Sequence, residues 1–341
     1  MWVEANFGKE KKRRERMHTM KGVRVFIALF AVVFFAVPSA YSAEYANPQL
    51  LVTPADIEKN AGKWVVIDCR DDKAYAAGHI PGAITLGGAC GKVLRDTTLR
   101  VKKTEDLEKL LGNAGVSMDK PVVVHADARL ITGATVAFWI LEYLGHNDVR
   151  LLNGGIEEWM TTGKPLEKAP TKLPAAAFKA NVVKTRIATS DEMAKIARSE
   201  VKGTQVIDSR TEKENKGEDI RSLRGGHIPN TTLNVSHVDT YHVETGELYS
   251  MDSLETLFGK LDKNRRTIAY CQTGTRSTLI YVELRLMGFK DPANYDDSWI
   301  VYGSNVDYPV ANENWYDYVK VNDALKAVDA LKKEIEELKA K

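Results

Sequence analysis

Two kinds of segment alternate along the chain. Short apolar runs, Val65-Val66-Ile67-Asp68, Val122-Val123-Val124-His125, Val206-Ile207-Asp208 and Thr267-Ile268-Ala269-Tyr270, are bounded by loop residues, the signature of strands buried on both faces. Between them lie stretches with helical character, clearest over Thr135 to Leu144 and Thr278 to Met287. Each is closed by a glycine, Gly145 and Gly288, suited to the left-handed backbone that follows a helix end. Buried strands alternating with helices predict βαβ units, so the fold class is α/β, with parallel sheets carrying helices on both faces.

The alternation is duplicated. Trp64-Val65-Val66-Ile67-Asp68-Cys69-Arg70 returns as Thr204-Gln205-Val206-Ile207-Asp208-Ser209-Arg210, and Gly78-His79-Ile80-Pro81-Gly82 as Gly226-His227-Ile228-Pro229-Asn230. Val122 to Ala126 matches Thr267 to Cys271, and Leu152 to Trp159 matches Tyr295 to Tyr302. Four blocks in one order, twice, predict two tandem domains, 48–168 and 175–312, joined by a linker at 169–174 inside the proline-containing stretch Lys164 to Pro174. Asn230 stands where the first copy has glycine, a substitution that a left-handed backbone tolerates in Asn. Beyond the repeat, Val321, Ala324, Val328, Leu331, Ile335 and Leu338 fall on heptad positions in a Lys/Glu-rich stretch. A C-terminal helix over 318–341 is expected, packing on its own domain, fraying, or joining a second copy as a homo-oligomer.

The first 43 residues read differently. Lys11, Lys12, Arg13, Arg14, Arg16, Lys21 and Arg24 precede thirteen uncharged residues, Val25 to Val37, and then Pro38-Ser39-Ala40-Tyr41-Ser42-Ala43. A basic segment, a short apolar run and a small-residue zone form the layout of a signal peptide cleaved after Ser42 or Ala43. The run falls short of the roughly 20 residues that a spanning helix needs. The expectation is a periplasmic or otherwise exported protein, the alternative being an uncleaved N-terminal membrane anchor. Charge supports the division: the chain carries 48 Lys and Arg against 46 Asp and Glu, but the leader holds a surplus of basic residues, leaving a mildly acidic body. That balance gives no electrostatic case for binding nucleic acid.

Three cysteines, Cys69, Cys90 and Cys271, are too few for a disulfide-built scaffold and too dispersed for a zinc knuckle. In an oxidising compartment at most one pair can close; Cys69 and Cys90 are expected to be either both free or paired with each other, because Cys271 has the surroundings of a reactive thiol, which a stable disulfide would block. Cys271 stands apart. It ends a predicted strand and is followed by Gln272-Thr273-Gly274-Thr275-Arg276-Ser277 before a helix begins. Loop N–H groups and the positive end of a helix favour thiolate over thiol. Gly274 permits the turn that aims those groups inward, and Arg276 supplies fixed positive charge for an anionic donor or for bracing the loop. At the matching place in the first copy stands Ala126, followed by Asp127 and Ala128, so that half has no nucleophile. His125 is read as packed and hydrogen-bonded rather than as a base, His237 and His242 as surface residues, and Asp208 and His227, present in both copies, as structural.

Together, Asp-x-Arg after a strand, Gly-His-Ile-Pro, a Cys-initiated loop and the late Gly-Gly-x-x-x-Trp or Asp-x-Ser-Trp block resemble the rhodanese family, specifically its tandem sulfurtransferases, over about residues 48 to 312. The resemblance implies two rhodanese-like domains, the first non-catalytic, and transfer of sulfane sulfur from a small sulfur-containing anion such as thiosulfate. The acceptor would be thiophilic, cyanide, a thiol or an acceptor protein, and sulfur would pass through a Cys271 persulfide with no metal or organic cofactor. Arg276, Gln272, Thr273, Gly274, Thr275 and Ser277 would line the substrate site. Arg210 matches a position whose side chain reaches the donor anion, or else forms a structural ion pair. Four residues separate Cys271 from Arg276, one fewer than in related cysteine phosphatases, and the tighter ring suits a single sulfur atom rather than phosphate. A persulfide or polysulfide carrier serving a respiratory or assembly partner is the alternative reading.

Overall fold

In a computed structural model of the protein, which describes residues 44–339, two halves repeat one plan. The N-terminal half runs β1 (Leu51–Val52), α1 (Pro54–Lys59), β2 (Val65–Asp68), α2 (Asp72–Ala77), β3 (Ile84–Thr85), α3 (Cys90–Val93), α4 (Thr104–Asn113), β4 (Val122–His125), α5 (Thr132–Tyr143), β5 (Val149–Leu152) and α6 (Gly155–Thr161). Its parallel sheet has the order β1-β5-β4-β2-β3. The C-terminal half runs β6 (Ile187–Ala188), α7 (Ser190–Ala197), β7 (Gln205–Asp208), α8 (Glu212–Asn215), β8 (Arg224–His227), β9 (Leu233–Asn234), β10 (Tyr241–His242), β11 (Glu247–Leu248), α9 (Met251–Phe258), β12 (Arg266–Tyr270), α10 (Ser277–Leu286), β13 (Asp291–Tyr295), α11 (Ser298–Tyr302) and β14 (Ala311–Trp315). Its parallel sheet, β6-β13-β12-β7-β9, has the same order, flanked by the antiparallel pairs β10-β11 and β14-β8.

Strand alternation explains why these runs are apolar throughout. Val122 and Val124 of β4 point into one core and Val123 into another, and in β12 Ile268 and Tyr270 part from Ala269 in the same way. Each sheet therefore needs apolar side chains at consecutive positions. The halves also share a core. Leu279, Tyr281, Val282 and Leu286 of α10 join the cluster that contains Val136, Phe138 and Trp139 of α5. The hydroxyls of Thr135 and Thr278, matching positions of the duplication, meet at 2.8 Å, and Glu142 accepts from both Tyr281 and Arg285. Helices packed between their own sheet and the opposite half are apolar nearly all round.

The predicted stops hold: Gly145 and Gly288 follow their helices at φ +89° and +85°. Asn230 takes φ +63°, its side-chain amide donating to Ile196 O at 2.9 Å. The extended segment between the halves runs on past Pro174. Ala176 N bonds Gly112 O, Asn181 N bonds Leu144 O, and Phe178 is buried in the N-terminal core. After β14 the helix α12 (Tyr318–Lys339) carries no buried residue. The export segment read over residues 1–43 lies outside the described residues, and no helix among those described is long and apolar enough to cross a membrane.

Of the two arrangements open to Cys69 and Cys90, the structure shows the disulfide, linking the residue after β2 to the first residue of α3, both buried. Cys271 is the free thiol. A cross-link closing a loop of this length stabilises by about 3 kcal/mol through the unfolded chain. Cys69→Ser/Cys90→Ser should therefore lower the thermal midpoint by several degrees, and non-reducing peptide mapping should recover the 69–90 link and no other.

Candidate active site

Strand β12 delivers Cys271 to the carboxyl edge of the sheet, and α10 begins six residues later. The side chain has no solvent exposure. Its backbone N–H donates to Ser298 Oγ at 3.1 Å, while Trp299 N and Ile300 N bond the carbonyls of Cys271 and Gln272, so the start of α11 fixes the first two loop residues. Gly274 makes the turn at φ +73°, where a Cβ would lie 2.4 Å from Asp296 O. No other residue fits there. The Ser277 hydroxyl donates to Asn294 Oδ1 at 2.6 Å, and Asn294 Nδ2 donates to Gly274 O.

Burial pushes the Cys271 thiol up. The Arg276 charge and the backbone N–H groups of Ser277 and Thr273 outweigh that and hold it below its ordinary value of 9.0. Arg276 is itself fixed by a partner that sequence reasoning missed. Its Nη1 and Nη2 donate to Glu214 Oε2 and Oε1 at 2.9 and 2.7 Å. Glu214 is buried, and although burial raises its carboxyl, the hydrogen bonds and charge of Arg276 bring it down to about 2. Arg221, half exposed, pairs with Asp219 at 2.6 Å and stands 3.7 Å from Glu214. Its carbonyl accepts from Gln272 Nε2.

The structure places Arg210 in a buried ion pair. Its guanidinium binds both oxygens of Asp208 and Gly226 O, and lies 4.4 Å over the Trp299 ring. Asp208 also accepts from Tyr270 Oη and Asn215, and His227 Nδ1 meets Asn215 O, so all three brace the loops around the site. His237 is not a surface residue. It sits half-buried in a 3-10 turn (His237–Asp239), its Nδ1 is buried without a hydrogen-bond partner, and burial with the neighbouring Arg276 charge lowers its ring to about 4. His242 is exposed against Tyr249.

In the N-terminal half Ala126 occupies the matching strand end, so no thiol is available there. His125 is packed as expected, but neither ring nitrogen has a hydrogen-bond partner, and burial lowers the ring to about 4. It stays neutral near pH 7. That half contributes to the site from a distance: Arg95, Arg100 and the backbone of Val101 all reach the Asp296–Asp297 turn beside the loop.

The Rhodanese-like domain model matches residues 53–162 and 191–304. A thiosulfate sulfurtransferase of Corynebacterium glutamicum is 31% identical over 300 residues, 82% of this chain and 96% of that protein. A sulfur carrier protein, TtuD, of Thermus thermophilus is 30% identical over 287 residues, 78% of this chain and 98% of that protein. Among solved structures, an anaerobic ergothioneine biosynthesis enzyme of Chlorobium limicola superposes with a TM-score of 0.71 at 20% identity, covering 79% of this chain and 71% of that one, a likeness of fold.

The electrostatics of the loop can be measured directly. With Cys69 and Cys90 joined, iodoacetamide should modify Cys271 alone, with a half-maximal rate below pH 9.0. The double variant Arg276→Met/Glu214→Gln, which removes the ion pair without orphaning a carboxylate, should raise that midpoint by about one pH unit.

Proposed function

The chain belongs to the rhodanese family, and from that premise we propose that it is a sulfurtransferase in which Cys271 carries sulfane sulfur as a persulfide, with thiosulfate as donor. The observation that carries this reading is a free thiol, favoured as thiolate, at the foot of a loop whose N–H groups and arginine face it. Each step balances. The thiolate attacks the outer sulfur of thiosulfate, a cysteine–sulfur bond forms, the sulfur–sulfur bond of the donor breaks and sulfite leaves. The acceptor, cyanide or a thiol, then takes the terminal sulfur and returns the thiolate. No proton need be given to an alkoxide leaving group, and no carboxylic acid follows Cys271 in the loop to supply one.

Burial of Cys271 favours small donors, while the persulfide places its outer sulfur about 2 Å farther out, where an acceptor meets it. A persulfide carrier is the second reading. It draws support from α12, which exposes Val328, Leu331, Ile335 and Leu338 as a surface for an acceptor protein or a second copy, and from the relative named a sulfur carrier. Export rests on the order of charge, apolar run and small residues through Ala43, and places the body in the periplasm or an equivalent space.

Protein treated with thiosulfate should gain the mass of one sulfur atom on Cys271, lose it to cyanide, and turn over repeatedly to thiocyanate. Cys271→Ser should abolish turnover, and Ala126→Cys should create no second site. Loading without turnover would favour the carrier. Aryl phosphate hydrolysis that depends on Cys271, with no sulfur transfer, would overturn both. For export, N-terminal sequencing should find Ala43 or Glu44 first; an intact Val25 to Val37 segment in membrane fractions would mean an anchor instead.

A further inference from the structure

The residue best placed to hold the sulfur loop in shape comes from the half without a nucleophile. Arg95 lies two residues beyond α3, the short helix tied to the end of β2 by the Cys69–Cys90 disulfide. Its side chain is wholly buried, with the guanidinium carbon 5.9 Å over the ring of Trp139 in α5. Nη1 donates to Thr273 O at 3.2 Å and to Thr275 Oγ1 at 2.7 Å. Nη2 donates to Gly274 O and Asp296 Oδ1 at 2.7 and 2.6 Å. One side chain thus grips three of the four residues between Cys271 and Arg276, together with the acid that packs against Gly274.

Peptide geometry gives the grip a consequence. In a trans peptide the carbonyl and the following N–H point in opposite directions. Fixing the Thr273 and Gly274 carbonyls on Arg95 therefore turns the N–H groups of Gly274 and Thr275 away from it and anchors Thr273, whose own N–H is one of the two backbone amides that act on the Cys271 thiol. A planar guanidinium can hold two carbonyls, a hydroxyl and a carboxylate at once, whereas an ammonium is a point donor that cannot span them. We propose that Arg95 is a positioning residue for sulfur transfer: acting through the loop backbone, the N-terminal half sets the amide array that stabilises the anionic sulfur on Cys271. The inference rests on Cys271 being the sulfur-bearing thiol, and its test does not depend on turnover.

A residue that merely joined the two halves would leave the thiol's titration unchanged when replaced in a folded protein. The test is the pH profile of Cys271 alkylation by iodoacetamide in the full chain. Arg95→Met/Asp296→Asn removes the pair without leaving a buried carboxylate unmatched, and near-UV circular dichroism checks its fold. Its midpoint should rise, with alkylation at pH 7 slowed about tenfold. Arg95→Lys, which retains the charge but not the span, should fall between this variant and the parent. A folded double variant whose profile coincides with that of the parent would overturn the proposal. If the double variant does not fold, a parental profile for Arg95→Lys overturns it equally. Failure of the parent to form a persulfide would count against sulfur transfer, not against positioning, because alkylation reads the thiol alone.

Discussion

A thiol with no solvent contact, yet held below its ordinary pKa, imposes the central constraint on this molecule. Burial disfavours charge, so every group around Cys271 has to restore what water would have supplied. The restoring groups are backbone N–H dipoles and one guanidinium, neither of which works unless held in place. The surroundings read as a scaffold for those few donors. Gly274 allows the turn, Asp296 closes behind it, Asn294 ties the Gly274 carbonyl and the Ser277 hydroxyl together, and Glu214 locks Arg276 in both hydrogen bonds. A polar network of this kind rigidifies a site only while its members stay paired.

Duplication supplied the rest of the scaffold. Both halves keep the same sheet order, and both keep an arginine folded onto the aspartate that ends the second strand, Arg70 on Asp68 and Arg210 on Asp208. Only one has a cysteine at the loop position, Cys271 against Ala126 in the other. The other contributes α5, whose Thr135 and Glu142 meet α10 across the interface, and the loop after α3, which reaches the Asp296–Asp297 turn. Because α10 begins at the sulfur loop and is buried against α5, the first half bears on the position of the helix end that faces Cys271.

Much of the fold was legible because it is written in local periodicity. Valine runs in β2 and β4 announced strands covered on both faces, Gly145 and Gly288 marked helix ends, and Asn230 marked a left-handed turn. Cys271 and its loop were legible for the same reason, being contiguous in sequence. Arg95, Glu214 and His237 were not. Arg95 lies nearly 180 residues from the atoms it holds, in a charged stretch that reads as an exposed loop, and Glu214 sits in a short helix that has the composition of a solvated surface. His237 follows a two-residue strand, and nothing in its neighbours indicates that it turns inward. Such contacts depend on how two loops meet, which no sequence period encodes. For Cys69 and Cys90 composition left two arrangements open, and proximity in the fold chose between them.

The Glu214–Arg276 pair bears on what the loop can accept. An unpaired arginine beside Cys271 would favour donors by their charge, and thiosulfate, a dianion, would gain most. Here the carboxylate already takes both terminal nitrogens of the guanidinium, and Arg221 at the rim is matched by Asp219. Little free positive charge is left to reward a second negative charge on the donor. Selection then falls to the amide array and to space. For the proposed sulfur transfer, the burial of Cys271 requires a donor that presents its outer sulfur at the end of a slender group. Thiosulfate meets that demand, and so does the terminal sulfur of a short polysulfide. The ion pair thus trades attraction for shape: it keeps Arg276 where its charge lowers the Cys271 thiol, and for the proposed transfer it leaves the donor to be read at its sulfur rather than at the oxygens behind it.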